Sequence, residues 1–254
     1  MSFKVAIPSY RRSDVIMDKT LATLRRGGVA LSDIYVFVVH DEQEAYERAC
    51  PGYQVIVGLK GLIEQRSFIQ GFFSEHDTIV MMDDDIDCLF RPLTEKTKED
   101  ISDLPGLFSQ MVMRMTAEGV TICGIYPCNN LKFALHNPEV TTKFNYLVGA
   151  FYIIKNTRDP AVQPISSILE DRERSVLYYL KEKKTLRFNW VCLKTKYFGR
   201  GGLDSDDRIT KHNSEAEALV KQFPEYLILK KMKTRLVKKQ VLIDCKCRRL
   251  TKQT

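Results

Sequence analysis

The chain has 254 residues, 44% of them hydrophobic and 28% charged, an ordinary balance for a globular protein that buries a sizeable core. The formal charge of +7 is uneven: residues 230–254 hold ten Lys or Arg against one Asp, a net of +9, which leaves −2 for everything before them. No window supplies the roughly 18 consecutive apolar residues of a membrane span, and the opening MSFKVAIPSYRR lacks a signal-peptide pattern, so a cytoplasmic protein with a near-neutral body and a basic end is expected.

The run FKVAIPS (3–9) reads as a buried strand stopped by Pro8. SDVIMDKTLATLRRGG (13–28) follows with helical spacing, a Ser-Asp start and a Gly-Gly stop. IYVFVVH (34–40) is a second strand, DEQEAYERAC (41–50) a short helix, YQVIVGL (53–59) a third strand and LIEQRSFIQGFF (62–73) a helix. TIVMM (78–82) is the fourth strand and ends at DDDID (83–87). Continuous apolar strands alternating with helices indicate a parallel sheet covered on both faces. Ligands collect beyond the carboxyl ends of such strands, and here those ends read PSYRR, HDEQE and DDDID.

Further on, a helix is expected over 104–119, a strand over 120–127 and a long strand over 144–155 with Gly149 inside it, a place for close approach. A helix begins near Glu170, and LRFNWVCLKTKYF (186–198) is a strand that runs into the glycine-rich 199–208. Ser214 followed by Glu217 predicts a capping box at the start of a last helix, with His212 in the loop before it. The seven cysteines are odd in number and sit mostly in apolar runs, which fits packed thiols. Cys245 and Cys247 lack a second pair at zinc-ligand spacing. No internal repeat or low-complexity linker appears, and one domain is expected.

The acidic run needs a reason, because four carboxylates within five residues repel one another. An acidic loop in water is one reading. The other is a divalent cation: alternation puts Asp83 and Asp85 on one side of the chain, able to share a hard ion, with Asp84 turned away and Asp87 in reserve.

Strand 1 into IPSYRR, a helix carrying EQR and then VMMDDDI together resemble the GT-A fold of nucleotide-sugar-dependent glycosyltransferases, whose metal motif is Asp-any-Asp after the fourth strand. The small single-domain build is similar to viral and phage glycosyltransferases, including the TET-associated group that acts on oxidised bases in DNA; a viral chain would reside in the host cytoplasm. The resemblance implies a Rossmann-like, mostly parallel central sheet flanked by helices, with a nucleotide-sugar half over 1–92, an acceptor half over 93–229 and a basic extension over 230–254. It further implies that Pro8, Ser9, Tyr10 and Arg11 line the nucleotide pocket, with Tyr10 facing the base and Arg11 a phosphate. Asp41, Arg66 and Asp84 would also serve the donor, and Asp83, Asp85 and His212 would hold Mn²⁺ or Mg²⁺. ILEDRE (168–173) resembles the Glu-Asp motif of inverting members, with Asp171 as general base and Glu170 as neighbour or substitute. Each position also has a plain reading: a solvated turn, a helix-starting acid, a neutralising arginine, an incidental loop histidine.

The implied activity is metal-dependent sugar transfer from a UDP-sugar to a hydroxyl, first that of a hydroxymethylated base in DNA reached through the basic segment 230–254. A glycan on protein or lipid suits the same residues. A nucleotidyltransferase would carry a glycine-rich, lysine-bearing loop where PSYRR stands, and a non-catalytic nucleic-acid-binding module would leave the acidic rim unexplained.

Overall fold

The computed structural model describes residues 2–195, 208–237 and 240–248. The first half follows the expected alternation: β1 (Lys4–Pro8), α1 (Thr20–Arg26), β2 (Ile34–Val38), α2 (Gln43–Ala49), β3 (Gln54–Val57), α3 (Leu62–Phe72) and β4 (Thr78–Met82). There follow β5 (Ile86–Pro92), β6 (Lys98–Asp100), α4 (Leu104–Glu118), β7 (Ile122–Tyr126), α5 (Leu131–Leu135), β8 (Val140–Thr141), β9 (Phe151–Lys155), α6 (Glu170–Glu182), β10 (Leu186–Thr195), α7 (Arg208–Gln222), β11 (Leu227–Val237) and β12 (Gln240–Cys247).

One ten-stranded sheet runs β3-β2-β1-β4-β9-β7-β10-β5-β6, with β8 paired to β10. The pairings set β1, β2, β3, β4, β6, β7 and β10 in one direction, with β5, β8 and β9 against them. The sheet is therefore mostly parallel, as the apolar runs predict. Alternation divides each strand between two cores. Val5, Ile7, Val36 and Val80 face α1 and α4, where Leu24, Phe108 and Met111 pack. Ala6, Phe37, Ile79 and Met81 face α3 and α6, meeting Ile69, Phe73 and Tyr178. Each large side chain wholly buried this way contributes about 1.5–3 kcal/mol of transfer free energy. No helix among the described residues is long and apolar enough to cross a membrane.

Four expectations are corrected. The helix expected over 13–28 begins only at Thr20, because the carbonyl of Arg12 accepts from both Val15 and Ile16 and folds the preceding segment into turns. The strand expected over 144–155 pairs only from Phe151. Upstream, the amides of Asn145, Leu147 and Gly149 donate to Thr185 Oγ1, Ser175 Oγ and Asp171 Oδ2 instead of to a neighbouring strand. Ser214 does not cap α7, which already starts at Arg208; its hydroxyl donates to the Lys211 carbonyl at 2.9 Å from within the helix. His212 thus rides on a helix rather than in a loop. The residues after the acidic run, for which the sequence pattern predicts no element, re-enter the sheet as β5, antiparallel to β10.

The boundary expected at residue 230 falls inside β11, which pairs with β12 as an antiparallel hairpin. The hairpin packs on α6 and α7: Cys245 is fully buried with Val176, Ala216 and Leu219, and Ile243 exchanges hydrogen bonds with His212 and Asn213.

Candidate active site

At the carboxyl end of β4 the chain turns through Asp83, Asp84 and Asp85. Two threonines of α1 hold that turn. Thr20 Oγ1 donates to the Asp83 carbonyl (2.6 Å) and accepts from Ile86 N (2.9 Å), while Thr23 Oγ1 donates to the Asp87 carbonyl (2.8 Å). Asp83 N donates to the Ala150 carbonyl at 2.9 Å, which joins the turn to the segment before β9. The three carboxylates then part company. Asp84 points into the protein, where it accepts from Ser9 Oγ at 2.5 Å and Arg12 Nη1 at 2.6 Å. Asp85 accepts from Arg12 Nη1 at 2.8 Å and Thr195 Oγ1 at 2.7 Å. Asp83, half-exposed, accepts from Arg66 Nη2 at 3.1 Å.

The loop after β1 is tied to this turn. Tyr46 of α2, wholly buried, has its hydroxyl 2.6 Å from Ser9 Oγ and accepts from Arg12 N at 3.0 Å. Burial raises the Tyr46 pKa, so the phenol keeps its proton. Arg11 takes a left-handed backbone (φ 55°), and its amide donates to the Glu42 carboxylate at 3.0 and 3.1 Å. That turn sends Arg11 outward, 5.1 Å from the Tyr10 ring centroid, and Arg12 inward. Burial by itself would lower the Arg12 pKa, but Asp84 and Asp85 more than reverse it.

Arg66, from α3, is the hub of the deeper site. Its Nη1 donates to Glu170, and its Nη2 donates to Asp83 and to the Gly149 carbonyl at 3.0 Å. Glu170, 3% exposed, takes a second guanidinium, Arg174, on its other oxygen, and Arg174 stacks 3.8 Å from the Tyr152 centroid. Burial opposes the charge on Arg66, yet Glu170 holds its pKa above the ordinary value. The Asp83 carboxyl is pushed up to about 6, first by burial and then by Asp85 and Asp84, against the pull of Arg66.

Asp171 stands beside Glu170 in another role. Its Oδ2 accepts from the Tyr146 hydroxyl and from Gly149 N at 3.2 Å. Gly149 is where three groups meet: a Cβ there would lie 2.8 Å from Glu170 Oε1 and 3.3 Å from both Arg66 Nη1 and Asp171 Cβ.

These groups line one cavity of about 620 Å³, within the span of small-molecule clefts. Pro8, Ser9, Tyr10, Arg66, Asp83, Asp84, Asp85, Glu170, Asp171 and His212 all lie on it. Arg11 and Asp41 do not: the first is turned away as described, and the Asp41 side chain is 98% exposed. Asp87 pairs with Lys19 and Lys194 outside the cavity. Gly201 and Gly202 lie outside the described residues. His212 Nδ1 is 2.9 Å from the Ile243 carbonyl, which favours the tautomer with its lone pair on Nε2.

Sequence reasoning missed Arg12, Tyr146 and Arg174. Arg174 had a local signal, four residues after Glu170 on one helix face. Arg12 lay in the rim segment PSYRR beside Arg11, and Tyr146 had no signal.

Among the described residues no group of three or more His, Cys, Asp or Glu is drawn together as a ready metal cluster. The donor chemistry nonetheless fits a hard divalent ion. Asp83 and Asp85 offer carboxylate oxygens to the same cavity, the ligand type such an ion takes.

A family model described as TET-Associated Glycosyltransferase matches residues 3–190. Among solved structures, S. aureus TarS 1-349 in complex with UDP-GlcNAc matches with a TM-score of 0.57 at 13% identity, over 87% of this chain and 67% of that one. Mycobacterium tuberculosis glucosyl-3-phosphoglycerate synthase, in complex with Mn²⁺, UDP-glucose and phosphoglyceric acid, matches with a TM-score of 0.51 at 14% identity, over 92% and 85%. The chain spans 58% of the length of another TarS 1-349 structure. No curated protein matches the sequence. Likeness at this identity establishes the fold, which is of the GT-A type.

Proposed function

The chain belongs to the TET-associated glycosyltransferase family, and from that premise we propose that it moves a sugar from a UDP-sugar, in the presence of Mn²⁺ or Mg²⁺, to the hydroxyl of a hydroxymethylated base in DNA, with inversion at the anomeric carbon. The observation that carries the reading is the convergence of Asp83, Asp85, Arg66 and Asp171 on a single cavity at the carboxyl ends of β1 and β4. The structural relatives bound to UDP-GlcNAc and to UDP-glucose with Mn²⁺ support the donor class and the ion.

Asp83 and Asp85 would hold the cation, with His212 as a further donor from α7. When bound, the ion supplies Lewis-acid stabilisation of charge on the departing diphosphate. Tyr10 and Lys60 offer a flat, cationic wall for the nucleotide, the Lys60 ammonium lying 5.9 Å from the ring. Arg66 and Arg12, locked by their carboxylate partners, set fixed positive charge near the diphosphate, and need no reorganisation as negative charge develops there. Asp171 accepts the proton of the attacking hydroxyl. Glu170 is left to orient Arg66, since both of its oxygens are taken by guanidinium groups.

The basic segment bears on the acceptor. Lys230 and Lys246 are exposed on the hairpin, suited to phosphates of a duplex whose modified base enters the cavity. Because Cys245 is packed in the α6–α7 core, neutralising charges is a cleaner test than deletion.

The experiment is a thermal-shift panel of nucleotide-sugars with and without Mn²⁺, followed by transfer to a duplex containing 5-hydroxymethylcytosine. One UDP-sugar should stabilise the protein only with metal, by about 2.7 kcal/mol at a hundredfold excess over its Kd. Asp83→Ala together with Asp85→Ala should abolish that response, and Lys230→Gln with Lys246→Gln should weaken a salt-sensitive duplex shift. Stabilisation by no nucleotide-sugar would overturn the reading, and transfer to a glycan but not to DNA would replace its acceptor.

A further inference from the structure

Tyr146 has no role in the sequence pattern, where it reads as one more residue of a strand. In the structure its backbone is pinned on both sides. Asn145 N donates to Thr185 Oγ1 at 2.8 Å, the Tyr146 carbonyl accepts from Arg187 Nη1 at 3.3 Å, and Leu147 N donates to Ser175 Oγ at 2.9 Å. Its ring is covered by the Arg172 guanidinium, 3.4 Å from the centroid. That guanidinium lies 3.5 Å from Asp244 of β12. Loop, helix and hairpin thus all bear on one phenol, whose hydroxyl donates to Asp171 Oδ2.

Gly149 N donates to the same oxygen. Two donors on Oδ2 fix the plane of the carboxylate, and among the described residues no donor meets Oδ1. The phenol donates to Oδ2 and leaves Oδ1 to the substrate, so it can hold the carboxylate without carrying the reaction's proton.

We propose that Tyr146 is a positioning residue for Asp171. It holds the carboxylate so that Oδ1 meets the acceptor hydroxyl, and the β11–β12 hairpin keeps it in place through Asp244 and Arg172. The inference rests on Asp171 being the general base, as read above.

The test compares wild type, Tyr146→Phe, Asp171→Asn and the double variant, with Mn²⁺ and the donor picked out by the thermal panel. UDP release is measured with the 5-hydroxymethylcytosine duplex and with water alone, and thermal unfolding is followed in parallel. Tyr146→Phe keeps the ring under Arg172 and removes only the hydroxyl. Its kcat should fall about tenfold to a hundredfold, the scale of a misplaced catalytic group, with the donor KM within twofold of wild type. The double variant should be no slower than Asp171→Asn, because the tyrosine acts through that carboxylate. A wild-type kcat in Tyr146→Phe, or an equal further loss in the double variant, would overturn the proposal and leave Asp171 as base untouched. Full activity in Asp171→Asn would instead remove the parent reading, as would UDP release by wild type from no donor. Should Tyr146→Phe not fold, Arg172→Gln unclamps the ring and retains the hydroxyl. A kcat loss at unchanged donor KM then supports the proposal, and an unchanged kcat overturns it.

Discussion

Gly149→Ala isolates what close packing contributes to the site. Its backbone is not in the left-handed region, so the substitution adds volume without backbone strain. The new Cβ would stand 2.8 Å from Glu170 Oε1, against the 3.4–4 Å of ordinary van der Waals contact. Glu170 has no easy retreat, since Arg66 grips that same oxygen and Arg174 the other. Overpacking of this kind costs about 1–3 kcal/mol, and in a chain of this size each kcal/mol lowers Tm by about 2–4 °C. A drop of roughly 2–12 °C in a calorimetric or fluorescence melt is expected. The same push moves Arg66 and Asp171, so kcat should fall at least about tenfold, as for other small displacements of reacting groups. Gly71→Ala is the control, because nothing lies within 4 Å of its Cβ position in α3 and an alanine there should stabilise by about 0.5–1 kcal/mol. A Gly149→Ala protein that melts within about 1 °C of wild type and turns over normally would refute the claim that these groups are packed to contact.

Three further variants probe the surroundings. Arg12→Met leaves the buried Asp84 with Ser9 as its remaining polar partner; removal of one member of such a pair should cost about 3 kcal/mol in denaturant unfolding. The Glu215 carboxylate of α7 accepts from the amides of Ser167, Ile168 and Leu169 just ahead of α6. Glu215→Ala should cost about 2 kcal/mol, the upper end for a lost cap, and should speed hydrogen exchange at those three amides. Ser214→Ala should change stability by less than about 0.5 kcal/mol, since its hydroxyl bonds within α7; a loss of 1 kcal/mol or more would restore it as a cap.

The order of β1 to β4 with α1 to α3, and the acidic turn at their rim, were legible because each depends on local chemistry. Apolar residues repeated at strand or helix spacing must be buried on one face or both, and that holds wherever the element is placed. The choice between side chains was not local. Arg12 rather than Arg11 enters the site because a left-handed turn at Arg11 reverses the alternation, and its carboxylate partner is 72 residues away. Glu170 orients Arg66 while its neighbour Asp171 faces Tyr146, because one helix turn points adjacent acids at different partners, Arg66 being 104 residues distant. The segment 144–150 has the composition of a strand, yet it lines the cavity because side-chain acceptors from α6 and Thr185 claim its amides. Likewise Lys230, Lys231, Lys233, Arg235 and Lys246 belong to a hairpin seated by Cys245. Periodicity states which face of an element is buried; which distant group it meets there is settled only when the sheet brings the two together.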